Sequence, residues 1–442
     1  MFTRRFVLKR GAQMGLAAAT TSLWSTSRAM KAFAQVPLGG YKAVVVITLD
    51  GGNDGNNTVV PLDTAQYAQY ASLRGRVALS AGTLLPLSTS TGSPSYGLHP
   101  ALENVSRLYN SKRALVVANV GPLAQPATKQ QLLANPALFP ASLLNHVAGF
   151  QQWESAQTGP SPMTGWGGRI GDLIVNQSGS LPPVLNGGPT SIFACGNTVQ
   201  GVSVQTGSAW PAVFPGMNEV IEQIATADSA SKNEMIAAVA KYRDKAMQQQ
   251  VLIDQAARYG TLKTEFPVYT KFGQAMQTIA YVINGRSVIG ANRQIYYLKQ
   301  GSYDTHQDQL NAQQSSLSEF DTAIGSFMNA LDEMGLTDQV LICTHSDFSR
   351  TLTSNTAGGS DHAWANHQLM IGGGINGGRF VGTMPDLELG GSSDLNGLGC
   401  WIPTLSVTQM TAAIGGWMGL NSSQLATVFP DLANFPTGAI SL

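Results

Sequence analysis

The apolar positions along this chain follow two periods, and their alternation predicts the fold class. Ala43 to Leu49 (AVVVITL) is an unbroken, largely β-branched run, the pattern of a strand buried on both faces of a parallel sheet. It stops abruptly at Asp50-Gly51-Gly52-Asn53-Asp54-Gly55-Asn56-Asn57-Thr58, where glycines and short amides mark a tight turn. Ala114 to Asn119, Arg293 to Leu298, Gln339 to Thr344 and Gln368 to Ile371 read as further strands. Helical spacing is strongest over Lys232 to Tyr259, Lys271 to Ile283 and Gln309 to Met334. In the last of these, Leu310, Leu317, Phe320, Ile324, Phe327 and Leu331 share one face. A final helix is expected over Thr408 to Met418, capped by Ser406 or Thr408. Strands alternating with helices predict an α/β protein, a three-layer α/β/α sandwich around a mainly parallel sheet. Leu85 to Gly97, Thr351 to Ser360 and Leu389 to Gly399 are rich in Gly, Ser and Thr and read as surface excursions. No internal repeat or boundary interrupts the pattern, so residues 35–442 are expected to form a single domain.

The first 34 residues stand apart. Thr3-Arg4-Arg5-Phe6-Val7-Leu8-Lys9 is a paired-arginine start, an apolar stretch follows, and Ala32-Phe33-Ala34 offers a small-x-small cleavage site. This is the pattern of a twin-arginine signal peptide, and it predicts export to the periplasm or beyond. The apolar stretch is short and broken by Gly, Thr and Ser, so no stable membrane anchor is expected. The chain holds 26 basic and 26 acidic residues. Six of the basic residues and none of the acidic ones lie in this segment, so the remainder carries a net charge of −6. A mildly acidic chain with 12% charged residues argues against a nucleic-acid partner. The three cysteines, Cys195, Cys343 and Cys400, are widely spaced and show no CxxC, which leaves a cysteine zinc site unsupported.

Candidate chemistry gathers where an open parallel sheet collects ligands, beyond the carboxyl ends of its strands. Asp50 and Asp54 follow the first strand. Asp304-Thr305-His306 follows the Ile295 to Leu298 run, and His345-Ser346-Asp347 follows Val340 to Cys343. Asp361-His362, with His367, precedes the Leu369 to Ile371 run. Four of the six histidines lie in these clusters. Carboxylate and imidazole suit a divalent metal such as zinc or manganese, which could neutralise a phosphoryl or sulfuryl transition state. The bland readings stand beside these. His99 reads as a helix-start residue satisfied by backbone, His367 as structural, and Trp153, Trp166 and Trp364 as packing. His146 reads equally as core or as site.

At these residues the sequence also resembles a family. Gly51 to Pro61 (GGNDGNNTVVP), Leu98-His99-Pro100-Ala101-Leu102, Tyr303-Asp304-Thr305-His306, Ser346-Asp347-Phe348-Ser349-Arg350-Thr351, Asp361-His362-Ala363-Trp364 and Gly372-Gly373-Gly374 are similar to domain of unknown function family 1501. Trp401-Ile402-Pro403-Thr404 and the ending Val428-Phe429-Pro430-Asp431-Leu432 fit it as well. The resemblance spans nearly the whole chain after the signal. It implies an alkaline-phosphatase-like fold, in the superfamily that includes the sulfatases, and export by the twin-arginine route.

The resemblance implies metal ligands at Asp50, Asp304, His306, Asp347 and His362. Asp304, His306 and His362 would complete one site. The other is impaired, because Phe348 stands where that superfamily carries a histidine, leaving either one metal or a rearranged site with His345 as substitute. Asn145 stands where related sequences often carry a serine nucleophile, so a covalent route would need Ser142 or Thr58. Otherwise His146 or Asp54 would serve as general base for water. Arg350 is placed either to clamp the anionic group or to pair with Asp347. Two functions follow as expectations. One is an exported metal-dependent hydrolase of phosphate or sulfate esters, acting on a small anionic ester or glycan. The other is a catalytically degenerate binding or assembly accessory protein on the same scaffold.

Overall fold

The AVVVITL run forms the strand β1 (Lys42–Leu49), buried along all but its first residue. The computed structural model describes residues 40–88, 96–188, 191–204, 228, 231 and 233–442; the expected signal peptide lies outside them. In chain order the further strands are β2 (Val59–Pro61), β3 (Leu85–Pro86), β4 (Tyr96–Leu98), β5 (Ala114–Gly121), β6 (Val184–Asn186), β7 (Val202–Ser203) and β8 (Arg293–Gln300). They continue with β9 (Val340–Ser346), β10 (Ser349–Arg350), β11 (His362–Ala363), β12 (Asn366–Gly372), β13 (Phe380–Val381) and β14 (Leu405–Ser406). The helices are α1 (Gly55–Thr58), α2 (Thr64–Arg74), α3 (Glu103–Asn110), α4 (Lys129–Ala134), α5 (His146–Ser155) and α6 (Trp166–Ile174). They continue with α7 (Glu234–Ala257), α8 (Lys271–Asn284), α9 (Gln309–Met334), α10 (Val407–Trp417) and α11 (Ser422–Val428).

The main sheet runs β13-β5-β12-β9-β1-β8-β6-β7, with β14 also on β5. Every pair in it is parallel except those of β12, which is antiparallel to both β9 and β5. That exception matters for the site. Because β12 runs the other way, the loop that enters it sits at the same sheet edge as the loops that leave β1, β8 and β9. The period-two alternation of β1 sends Ala43, Val45, Ile47 and Leu49 to one core, with Phe272, Met276, Phe320, Ile324 and Phe327 of α8 and α9. Val44 and Val46 face a second core with Trp153, Trp166, Ile170 and Met410. Each buried Val, Ile, Leu, Met or Phe among them contributes about 1.5–3 kcal/mol by leaving water. Helices thus cover both faces, as the three-layer expectation requires, and Gly40–Leu442 forms one compact unit.

Helix bounds follow the periodic runs closely; the predicted Gln309 to Met334 segment is α9 itself. Ser406 caps α10 through a capping box with Gln409. Two expectations need correction. Leu85 to Gly97, expected as a surface excursion, contributes β3 and β4, which pair with β2 in a small second sheet. The Thr351 to Ser360 and Leu389 to Gly399 loops bond to each other, Leu352 N–H to the Gly399 carbonyl and Thr353 N–H to that of Leu398. Leu352 is thereby buried, packed with Val60, Tyr70 and Trp401.

Candidate active site

Three loops and one helix start meet at the edge where β1, β8 and β9 end. Gly51 has φ +118°, and a Cβ there would lie 2.4 Å from the Asp304 backbone nitrogen. Only glycine lets the turn after β1 lie against the Tyr303-Asp304 backbone, and Tyr303 N–H donates to the Asp50 carbonyl. Gly149 does the same for α5: its Cβ would lie 2.6 Å from the Asp347 carbonyl oxygen. The helix therefore seats directly on the end of β9, with His146 at its first turn.

The imidazoles of His146, His306 and His362 surround the Asp304 carboxylate. His306 Nε2 lies 3.0 Å from His362 Nε2 and 3.2 Å from Asp304 Oδ1. His362 Nε2 is 3.6 Å from the same oxygen, and His146 Nε2 is 3.7 Å from Oδ2. Each ring is oriented through its other nitrogen. Asp347 Oδ2 is 2.5 Å from His146 Nδ1, Asp361 Oδ1 is 3.2 Å from His306 Nδ1, and the Leu144 carbonyl is 2.9 Å from His362 Nδ1. Outward Nδ1 partners with converging Nε2 atoms are the arrangement that orients histidines towards a metal. Phe348 packs its ring against His146 and His362, with centroids 4.7 and 4.2 Å away.

Charge states follow from these contacts. The Asp347 hydrogen bond raises the His146 pKa above the ordinary histidine value. Burial lowers that of His362. Burial works to raise the Asp304 carboxyl, but the Arg350 hydrogen bond and charge, with His306 and His146, hold it below the usual range. Asp50 is half-buried, and desolvation raises its pKa despite the charge of Lys299.

The donor set fits a divalent cation. Tetrahedral coordination with bonds of about 2.0–2.2 Å places ligand atoms roughly 3.3–3.6 Å apart. The pairs among Asp304, His306 and His362 fall at 3.0 to 3.6 Å. The donor atoms of His146, Asp304 and His362 also lie within 4.8 Å of one another.

Four expected roles are not supported by the geometry. Asp54 is fully buried, caps Asn56 N–H of α1, and takes an ion pair from Arg74 and a hydrogen bond from Gln309; no water can reach it as a base. Arg350 is fully buried and pairs with Asp304 at 2.5 Å, not with Asp347. Its Nε donates to the Gly52 carbonyl, Nη1 to that of Ser360, and Nη2 also faces those of Gly51 and Tyr303; with no exposed surface, Arg350 does not reach an external anion. Asp347 is likewise engaged, accepting from Gly51 N–H and facing His146. His345 lies inside β9 between Trp153 and Trp166, where burial lowers its pKa to about 3, and so cannot stand in as a ligand at the edge.

Other residues take local structural roles. His99 Nδ1 accepts from Ala101 N–H beside the start of α3, and His367 Nδ1 accepts from Asn119 N–H. Asn145 is the N-cap of α5. The Thr58 hydroxyl is buried and donates to the Asp54 carbonyl. Asp361 belongs to the expected Asp361-His362 cluster, whereas Lys299, which pairs with Glu154 of α5, was not singled out by the sequence. Its strand already carries Arg293, Gln294 and Gln300, so the local pattern does not mark it.

Fold and edge together define a three-layer α/β protein whose candidate site lies beyond one edge of a mainly parallel sheet. The chain belongs to the family described as protein of unknown function (DUF1501), whose model matches residues 41–429. No curated protein matches the sequence. Among solved structures, the lipoteichoic acid synthase LtaP from Listeria monocytogenes is similar at 6% identity and TM-score 0.36, over 92% of this chain and 81% of that one. A protein in the alkaline phosphatase superfamily from Vibrio parahaemolyticus is similar at 12% identity and TM-score 0.36, over 90% and 71%. The PsFucS1 sulfatase from Pseudoalteromonas sp. is similar at 11% identity and TM-score 0.35, over 91% and 73%. Among the described residues no helix is long and apolar enough to cross a membrane.

Proposed function

We propose that this protein is a metal-dependent hydrolase of phosphate or sulfate esters, exported by the twin-arginine route. The observation that carries the reading is the convergence of His306 and His362 Nε2, 3.0 Å apart, on Asp304 Oδ1 at 3.2 and 3.6 Å, each ring held from behind by its own acceptor. Asp304, His306 and His362 would hold one divalent cation, zinc or manganese. Such an ion supplies Lewis acidity towards a phosphoryl or sulfuryl oxygen. Asp347, buried and 2.5 Å from His146 Nδ1, fixes that ring with Nε2 facing the cluster, which suits His146 to carry a proton to or from the reacting group. Phe348 provides a dry wall against two of the rings. At the helix start Asn145 is engaged in capping through the Ala148 N–H, and an amide is no nucleophile. These features favour direct attack by water over a covalent enzyme intermediate.

The test is metal content of the full chain purified after folding in the cell, followed by a screen of phosphate and sulfate esters. Near-stoichiometric zinc or manganese should be present in the wild type and in His146→Ala, and lost in His306→Ala. Ester hydrolysis should be lost in both variants. Metal retained by His306→Ala and lost by His146→Ala would make His146 the third ligand instead. A well-folded wild type without metal would retire the hydrolase reading in favour of a degenerate binding or assembly accessory protein.

A further inference from the structure

With Arg350 fully buried behind Asp304, an anionic substrate needs another cation at this edge. Lys299 is the next-to-last residue of β8, in register with Thr48 of β1, two residues before Asp50. Its ammonium lies 3.2 Å from Glu154 Oε1 and 4.2 Å from the Phe150 ring centroid. Both partners belong to α5, where Phe150 and Glu154 follow His146 at successive intervals of four and share its helical stripe. The helix that presents His146 therefore also sets the direction of Lys299.

The two ends of this ion pair are unequal. Glu154 is fixed from behind, by the Tyr297 hydroxyl at 2.5 Å and the Phe193 N–H at 3.4 Å, and its side chain is 5% exposed against 36% for Lys299. The carboxylate is the anchored end and the ammonium the accessible one. Among the charges acting on Asp50, that of Lys299 is the strongest favourable one, which ties the ammonium to the same sheet edge. An ammonium carries three donors, and Glu154 takes one direction, leaving others for ligand oxygens.

We propose that Lys299 is the anion receptor of this site, a positioning residue that holds the negatively charged ester group beside the imidazole cluster, with Glu154 and Phe150 fixing its direction. The inference rests on the hydrolase reading above and adds the residue that would recognise the substrate's charge. Glu154 tempers the receptor, since its carboxylate competes with the ligand for the same ammonium.

The experiment is calorimetric titration of inorganic phosphate into the full chain, with the metal content of each sample measured separately. Lys299→Met should weaken phosphate binding by about tenfold or more, the loss of one charge-assisted hydrogen bond, at unchanged metal content. Lys299→Arg should recover most of it. Glu154→Gln, which can still accept from Tyr297, should strengthen binding by removing the competing charge. Equal phosphate affinity in wild type and Lys299→Met, or no phosphate binding by the wild type, overturns the proposal even where metal is present. A metal-free chain whose phosphate binding still depends on Lys299 would retire the hydrolase reading and leave the receptor standing.

Discussion

Asp54 and Asp304 are both aspartates a few residues beyond a buried parallel strand, and both take an arginine. Their surroundings separate them. The Asp54 and Arg74 side chains have no exposure, and Gln309 and Asn56 N–H complete the carboxylate. Asp304 is 50% exposed against a fully buried Arg350, and faces three imidazoles. In the first region both charged groups are buried and held by protein partners, which leaves neither open to a ligand. In the other, donors converge on one another with their outward nitrogens already fixed. Residue type alone does not make a site; the number of partners already satisfied decides.

Breaking the buried pair should have the largest effect. Asp54→Ala leaves Arg74 charged and uncompensated, and should destabilise the protein by about 3–5 kcal/mol in denaturant unfolding. Asp304→Asn should cost less, about 1–3 kcal/mol, because the buried Arg350 loses a carboxylate but keeps its carbonyl acceptors and the amide oxygen still accepts. A stability loss at Asp304 as large as that at Asp54 would erase the distinction.

Acid sharpens the same contrast. Burial lowers His345 to about 3 and His367 and His99 to about 4. The unfolded chain takes these protons near pH 6.5, while the fold refuses them until far lower. Their contribution is complete above about pH 6.5 and is lost as pH falls, by about 1.4 kcal/mol per pH unit for each group. Unfolding free energies measured between pH 7 and 4 should show this slope, and His345→Gln should make it shallower. The raised His146 works the other way, holding its proton more firmly in the fold.

Smaller effects probe the packing that builds the edge. Gly149→Ala forces α5 off the Asp347 carbonyl, and should cost about 1–3 kcal/mol while bringing the His146 proton affinity, read by NMR titration, back towards an ordinary histidine. Asp361→Asn removes the carboxylate behind His306 and should weaken metal binding by about 10–100-fold with little change in thermal stability. Unchanged metal affinity in that variant would place His306 outside the ligand set.

Much of the fold was legible because long periodic segments dominate it. Ala43 to Leu49 reads as a strand buried on both faces because both of its faces meet helices, and α9 matches its apolar stripe end to end. Strands of two or three residues, such as β3, β6 and β7, are too short for any period to show, and the pairing of two surface loops over Leu352 leaves no local mark. The site was legible in part. The clusters that hold Asp304, His306 and His362 stand out because each lies near a strand end. The choice of these three as a set came from the family resemblance, and β12 brings the last of them to the same edge by running antiparallel. Arg350 and Asp54 misled because a charged residue a few positions past a buried strand looks the same whether its partners are solvent or protein. Those partners come from residues as distant as Arg74 and Gln309. Lys299 went unread because its meaning depends on α5, far back along the chain.

The central claim, that Asp304, His306 and His362 hold a divalent cation, is tested most directly by zinc-edge X-ray absorption on the metal-loaded full chain. The account predicts imidazole scattering from two histidines and an oxygen shell at about 2.0–2.2 Å, with one imidazole lost in His306→Ala. Sulfur scattering near about 2.3 Å, or a purely aqueous shell without imidazole, would contradict it.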